Sequence, residues 1–193
     1  PRQFSLEEIK QRPDQRDLPV TIECSGNMPL GAANGQVSNG VWTGVGLASI
    51  LKECGVKPEA REVVFLGMDL ERYGNDAPPV PHGRSIYVQD AMDPNVLLSY
   101  ALNGSPLSQE RGFPLRVIVP GWYGVTQIKW LARIEVLDRR YEGTHMARNY
   151  HTVRDGDGML ETSISRNRLK SVVARVTRQK ESAGGYVYKI HGA

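Results

Sequence analysis

A short apolar run, LRVIV at Leu115 to Val119, lies between Pro114 and Pro120 and constrains the fold more than any other segment. The flanking prolines and the β-branched side chains favour a buried strand over a helix. The second residue of the run is Arg116. A buried guanidinium needs a partner, so an anionic ligand explains this arginine better than a surface charge does. The run therefore predicts an internal strand next to an anion-binding site.

The predicted helices are short. Ser5 and Glu8 have the spacing of a capping box at the start of a first helix. Thr43 is expected to cap a second helix, which Gly55 ends because glycine readily adopts the left-handed conformation of a helix C-terminus. Asp93, followed by a proline, is expected to begin a third helix. None of them is part of a repeating βαβ pattern.

The remaining ordered segments have the β-branched, alternating character of strands. The mixture of strands and short helices without a repeating unit predicts an α+β fold built on a mixed sheet. Strands are predicted at 18–24, 61–68, 85–88, 115–119 and 129–136, and loops at 28–40 and 71–83.

Composition excludes several classes of protein. The net charge of +3 comes without a long Lys/Arg run, so no nucleic-acid partner is expected. No apolar run approaches the roughly 18 residues of a membrane span. Cys24 and Cys54 do not form a disulfide framework or a Cys-x-x-Cys pair, and the histidines lack His-Glu-x-x-His spacing. A zinc hydrolase is therefore not indicated.

The residue pattern of the sequence changes after the turn Asp155-Gly156-Asp157-Gly158. The segments SVVARVTRQ and GGYVYKIHG alternate in the manner of strands joined by a hairpin. We predict a first domain over residues 1–160 and the opening strands of an all-β domain over 161–193. The chain begins without methionine and ends on a strand-like segment, so we expect it to be a piece of a longer protein.

Several blocks together resemble the molybdenum-cofactor domain of the sulfite oxidase family. The pentapeptide ECSGN at Glu23 to Asn27 is common, but longer blocks are more specific. They are NGVWTGVGLASILKECGV at 39–56, LNGSPLSQERGFPLRVIVPGWYGVTQIKWLARIEV at 102–136, HMARNYHTVRD at 145–155 and ETSISRNRLKSVVARV at 161–176. The resemblance covers nearly the whole chain, and it implies the fold of that domain followed by the start of a β-sandwich domain.

The resemblance assigns roles to particular residues. Cys24 matches the thiolate that binds molybdenum, and Tyr150 matches the active-site tyrosine. A soft thiolate suits a high-valent metal that is also bound by pterin sulfurs. Arginine and lysine suit the phosphate of the pterin. The positions implied to hold the molybdopterin are Asp69, Arg111, Arg116, Gln127, Ile128 and Lys129, with Arg111 standing where many members have histidine.

The implied activity is oxidation of sulfite or a related small anionic sulfur compound, with water as the oxygen source. Electrons would pass to a cytochrome c or a haem subunit. The full-length protein is expected to be a periplasmic homodimer by analogy with the family. Met28 and Pro29 stand where sulfite-oxidising members usually have arginine, which leaves two alternatives open. These are a molybdenum-dependent reductase of sulfoxide or nitrate, and a binding module without catalysis.

Each site residue also has a plainer interpretation. Without the resemblance, Cys24 would be a buried thiol and Tyr150 a half-buried tyrosine. Cys54 is expected in the core, on the apolar face of the second helix. His82, within PPVPHGRS, is expected to be a loop residue without a role.

Overall fold

The computed structural model describes residues 1–27, 35–73, 77–154, 160–171, 173–181 and 183–192. Met28, Pro29 and the predicted turn at 155–158 lie outside these ranges. The described residues are mostly β with a few short helices, so the helical share is smaller than the α+β prediction implies. Every strand pairing among them is antiparallel, which corrects the predicted mixed sheet.

A five-stranded sheet forms one layer of the fold. Its strands, whose bounds close this paragraph, follow the order β1-β2-β5-β6. Strand β7 also pairs with β5, on the same side as β6 but at different residues. The strand pairing of β2 with β5 is interrupted next to Gly44, where a Cβ atom would lie 2.4 Å from the carbonyl oxygen of Leu98. The strands are β1 (Arg16–Glu23), β2 (Val37–Gly46), β5 (Leu97–Leu102), β6 (Ser105–Pro106) and β7 (Arg116–Ile118).

A second sheet has three strands in the order β4-β3-β8. Its central strand, β3, is buried over most of its length. The predicted loop at 71–83 is wrong in part, because β3 reaches Glu71 and pairs there with the first residue of β4. The strands are β3 (Glu62–Glu71), β4 (Val80–Tyr87) and β8 (Leu131–Leu137).

The described residues include four short α-helices, and two of the three predicted helices differ from the structure. Ser5 and Glu8 form the predicted capping box of α1, and Gly55 ends α2 with φ 78°. Thr43 lies in β2 instead of capping α2, because its backbone pairs with Ala101 of β5. The helix predicted from Asp93 is also wrong, since Leu97 begins β5. The helices are α1 (Leu6–Lys10), α2 (Leu47–Cys54), α3 (Val88–Ala91) and α4 (Thr144–Ala147).

The main core lies where α2 packs with side chains of both sheets. Fully buried members include Val45, Leu47, Phe65 and Val117. Cys54 is exposed at the last residue of α2, so its predicted place in the core is wrong. The apolar face of this short helix is completed by Leu47, Ala48, Ile50 and Leu51 without the thiol.

The C-terminal part of the chain forms hairpins. Two short strands, β9 (His151–Arg154) and β10 (Leu160–Ser163), pair with each other, as do β11 (Val173–Lys180) and β12 (Tyr186–Gly192). The side chains of β12 are exposed along its whole length. The hairpin is the structure predicted from the sequence of residues 173–192. That it opens a separate β-sandwich domain, with a boundary near residue 160, stays a prediction.

Candidate active site

Cys24 follows β1 and begins a tight turn. Its N–H donates to the carbonyl of Gln36 at 2.9 Å, and its carbonyl accepts the N–H of Asn27 at 2.9 Å. The thiol is exposed, and the N–H of Gly26 points to Sγ at 3.4 Å. The buried-thiol interpretation of Cys24 is therefore wrong. The sulfur is reachable from solvent, as a ligand must be, and its predicted bond to a metal stays a prediction.

Polar contacts hold the turn around Cys24. The Glu23 carboxylate accepts the side-chain amide of Asn27 at 3.0 Å and the ammonium of Lys170 at 2.7 Å. Burial opposes ionisation of Glu23, but the hydrogen bonds from Lys170 and Asn27 outweigh it and lower the pKa of the carboxyl group. The Lys170 pKa is raised in turn, chiefly by its hydrogen bond to Glu23. The end of β1 is thus tied to residues far along the chain.

An open cleft of about 410 Å³ contains both Cys24 and Tyr150. Ile22, Gly124 and Val125 contribute to its wall. The structure therefore brings together the two residues that the sequence proposed as the metal ligand and the active-site tyrosine, although 125 positions separate them.

A buried arginine fixes the segment that carries Tyr150. Arg84 of β4 is 0% exposed, and its two Nη groups donate to the carbonyl oxygens of His145 and Ile164. The N–H of Ile164 donates to the carbonyl of Tyr150 at 2.8 Å. Burial lowers the Arg84 pKa to about 10, so the guanidinium remains charged at neutral pH. Sequence analysis missed this residue; the signal was its inward position in the alternating strand PHGRSIY.

Arg116 occupies a second buried position, in β7. Its Nη groups donate to the carbonyls of Arg111 and Gln127, both at 3.0 Å, and its guanidinium lies 4.7 Å from the centre of the Trp42 ring. Burial, followed by the charge of Arg111, lowers the Arg116 pKa to about 10. Its Nε has no hydrogen-bond partner within the described part of the chain. The prediction that Arg116 is buried is confirmed, and its contact with an anionic ligand stays a prediction.

Lys129 and Asp69 converge near two glycines. A Cβ at Gly67 would lie 2.2 Å from Asp69 Oδ1 and 3.0 Å from the Lys129 carbonyl, and one at Gly112 would lie 3.0 Å from Lys129 Cβ. Asp69 Oδ1 is buried without a partner among the residues described. Lys129 Nζ donates to the carbonyl of Glu110 at 3.1 Å. Side chains at either glycine would therefore crowd residues that are predicted to hold the cofactor.

Gln127 and Ile128 have their side chains engaged within the fold. The Gln127 amide accepts the N–H of Val119 at 2.6 Å and donates to the carbonyls of Val119 and Trp122. Ile128 is 1% exposed and packs in the main core. Both residues therefore fix the turn that precedes Lys129. Their predicted contact with a cofactor stays a prediction.

Two further concavities lie away from these residues. They measure about 450 and 840 Å³ and run along α2, β8 and the N-terminal residues. Neither is lined by any residue proposed to bind metal or cofactor. Volume alone therefore does not locate the chemistry. As for membrane insertion, the described helices are all too short or too polar to cross a bilayer.

Comparison with known proteins decides the family. The family model described as the oxidoreductase molybdopterin binding domain matches residues 1–145. The chain belongs to this family. The resemblance inferred from the sequence blocks is confirmed, and molybdenum on molybdopterin is the cofactor that the family implies.

Individual relatives show the breadth of the molybdopterin-binding family. Mitochondrial sulfite oxidase of Drosophila melanogaster is 37% identical over 161 residues, 76% of this chain and 27% of that protein. NADH nitrate reductase of Petunia hybrida is 36% identical over 160 residues, 74% of this chain and 17% of that protein. The crystal structure of the sulfane dehydrogenase SoxCD from Paracoccus pantotrophus matches with TM-score 0.74 and 27% identity, covering 88% of this chain and 43% of that one. The chain thus spans less than half the length of each of these relatives.

The residues present fit the molybdopterin cofactor. Cys24 offers an accessible sulfur, and Arg116 offers an unused buried N–H donor beside the cation of Lys129. A phosphate needs donors and positive charge, which Arg116 and Lys129 supply. The unpartnered Oδ1 of Asp69 can accept from an amino group of a pterin. When bound, the cofactor supplies oxygen-atom and electron transfer, while the protein supplies orientation and electrostatics.

Proposed function

We propose that the protein oxidises sulfite or a related small sulfur compound, with Cys24 holding the molybdenum. The observation that carries the proposal is the shared cleft of Cys24 and Tyr150. Sulfite oxidase and sulfane dehydrogenase among the relatives support a sulfur substrate. Oxidation of sulfite to sulfate takes up the oxygen of one water and releases two protons and two electrons. We propose a haem protein as the electron acceptor, and a periplasmic homodimer as the full-length form.

The residues in and around the cleft have different proposed roles. Cys24 orients the metal through its sulfur, and Lys170 and Asn27 hold the turn on which that sulfur stands. Tyr150 carries a phenol hydroxyl that can donate a hydrogen bond to an oxygen atom in the cleft and pass on a proton. Arg84 keeps the Tyr150 segment in place through its carbonyl contacts.

Nitrate reduction is the second candidate. A nitrate reductase of 36% identity supports it, and the same cleft suits either direction of oxygen transfer. Parallel assays separate the two functions. We expect sulfite-dependent reduction of cytochrome c to exceed nitrate reduction with reduced viologen; the reverse ratio would assign the protein as a reductase.

Molybdenum content tests the site itself. The full-length protein, produced in a host that makes the cofactor, is expected to contain nearly one molybdenum per chain. Cys24→Ser should lose the metal or change its coordination, whereas Cys54→Ser, a second exposed thiol, should retain it. Tyr150→Phe should retain metal and lose turnover. A Tyr150→Phe variant with full turnover would remove the proposed role of Tyr150. A parent without molybdenum would contradict the enzyme proposal and leave a binding module.

A further inference from the structure

Three potential metal ligands converge behind the wall of the cleft. Glu71 ends β3, His82 lies in β4 and His145 lies in α4, so three separate elements each contribute one side chain. The ligating atoms of these side chains all lie within 4.8 Å of one another. His145 is buried, and the other two are half-buried. None of these residues has a part in the proposed oxidation.

The spacing of the donor atoms is close to that of a metal site. Glu71 Oε1 lies 3.0 Å from His82 Nδ1, and Glu71 Oε2 lies 2.9 Å from His145 Nε2. Ligands about 2.0–2.1 Å from a tetrahedral Zn²⁺ lie about 3.3–3.4 Å from each other. The two distances from Glu71 would therefore lengthen by only a few tenths of an ångström on binding an ion.

The surroundings of His82 also favour a metal. On the far side of its ring, His82 Nε2 faces the carbonyl of Val125 at 3.5 Å, the outer-shell partner common for ligating histidines.

We propose that Glu71, His82 and His145 bind a divalent transition-metal ion, with Zn²⁺ the best match. Two imidazoles and one carboxylate are a frequent zinc ligand set. Tyr73 stands beside the set, with its hydroxyl 2.6 Å from His145 Nε2 and hydrogen-bonded to Glu71. Burial raises the Tyr73 pKa, so this hydroxyl stays protonated and orients the carboxylate. The fourth position of the ion is left for water.

The ion would join three elements next to the active-site tyrosine. The His145 ring lies 5.5 Å from the Tyr150 ring, centre to centre. The Cys24 thiol is not among the converging donors. This second site is therefore independent of the molybdenum, and it can be tested whether or not the oxidation proposal holds.

Cobalt is the most informative probe. The full-length protein, stripped of adventitious metal with a chelator, is titrated with Co²⁺ and then with Zn²⁺. We expect one Co²⁺ per chain with visible bands of a four- or five-coordinate ion and no sulfur-to-cobalt charge-transfer band. Zn²⁺ should displace it. The same result is expected in a Cys24→Ser background, which separates this site from the proposed molybdenum ligand.

Variants identify the ligands. His82→Gln and His145→Gln should each weaken binding at least about 10-fold, since even outer-shell changes have effects of this size. His191→Gln, which changes an exposed histidine of β12, should bind as the parent does. Failure of the parent to bind Co²⁺, a sulfur charge-transfer band, or unchanged binding in His82→Gln would overturn the proposal. The parent spectrum decides the matter even if a variant fails to fold.

Discussion

Two buried arginines in different parts of the molecule have nearly the same local chemistry. Arg84 and Arg116 each donate both Nη groups to backbone carbonyls, and each has an Nε without a partner in the part of the chain described. Burial lowers the pKa of each to about 10. They differ in their surroundings. Arg84 is completely buried at 0% exposure, whereas Arg116 is 7% exposed and lies beside Arg111.

Arg84 is a structural cation, because it joins α4 and residue 164 to β4 and its charge is used inside the protein. Arg116 is held by the same kind of contacts, and we predict that it also binds an anion, because Arg111 adds a second cation beside it. Burial of an arginine alone therefore does not indicate a ligand site; the neighbouring cations do.

Arg84→Met should produce the largest loss of stability. It removes the donors of two carbonyls, and an unsatisfied buried polar group costs about 1–3 kcal/mol. We expect the free energy of unfolding to fall by about 2–4 kcal/mol in urea titrations. Arg133→Met, an exposed site on β8, should change it by less than about 0.5 kcal/mol. A loss below about 1 kcal/mol for Arg84→Met would remove its assigned role.

Arg116→Lys tests the binding side of the comparison. Lysine keeps the charge but cannot reach both carbonyls with a fixed fork, so we expect a loss of about 1–2 kcal/mol in stability. Retention of molybdopterin, measured from pterin fluorescence after gel filtration, should fall by about 10-fold. Retention equal to that of the parent would place Arg116 in the same structural class as Arg84.

The capping box of α1 gives a smaller effect that depends on pH. Hydrogen bonds from the Ser5 N–H and hydroxyl lower the pKa of Glu8 below 4.5. Because the folded-state pKa is depressed, this stabilisation is present above about pH 4.5 and is lost as the pH falls through the folded-state value. Ser5→Ala should lower the midpoint of thermal unfolding by about 1–3 °C at pH 7. A difference that stayed constant down to pH 2 would argue against the carboxylate.

Lys129→Met should have the smallest effect on stability. Its ammonium makes an exposed hydrogen bond to the Glu110 carbonyl and lies 4.2 Å from the centre of the Trp130 ring, so we expect a change of no more than about 0.5 kcal/mol. Cofactor retention should nevertheless fall, and the difference from the parent should shrink as ionic strength rises because salt screens the charge. A Lys129→Met variant that lost stability but kept the cofactor would show that Lys129 stabilises the fold and does not bind the cofactor.

Local rules predicted the elements whose signals are contained in a few residues. The capping box of α1, the glycine that ends α2 and the buried strand around Arg116 all fall into this group. The errors at Thr43 and Asp93 have one cause. Both residues have good helix-capping chemistry, but Thr43 and the residues after Asp93 pair with neighbouring strands that are remote in sequence. Long-range pairing overrides a local preference.

For the candidate site, too, the sequence indicated some features and not others. The chemical identity of Cys24, Arg116 and Lys129 was available from sequence blocks, because a thiol and paired cations suggest their ligands. The sequence did not reveal three other features. These are the burial of Arg84, the exposure of Cys54 and the convergence of Glu71 with His82 and His145. These depend on β3, β4 and α4 meeting in space, which no spacing along the chain encodes.

The sequence by itself thus indicated the family and the residues that are predicted to bind the metal and the phosphate of the cofactor. Only the tertiary structure decided which arginine is sealed, that Tyr150 shares the cleft of Cys24, and that three potential metal ligands lie together. The physical reason is the range of the forces. Turn and capping preferences act over a few residues, whereas burial and side-chain contacts join residues that are far apart in sequence, up to 147 positions for Glu23 and Lys170.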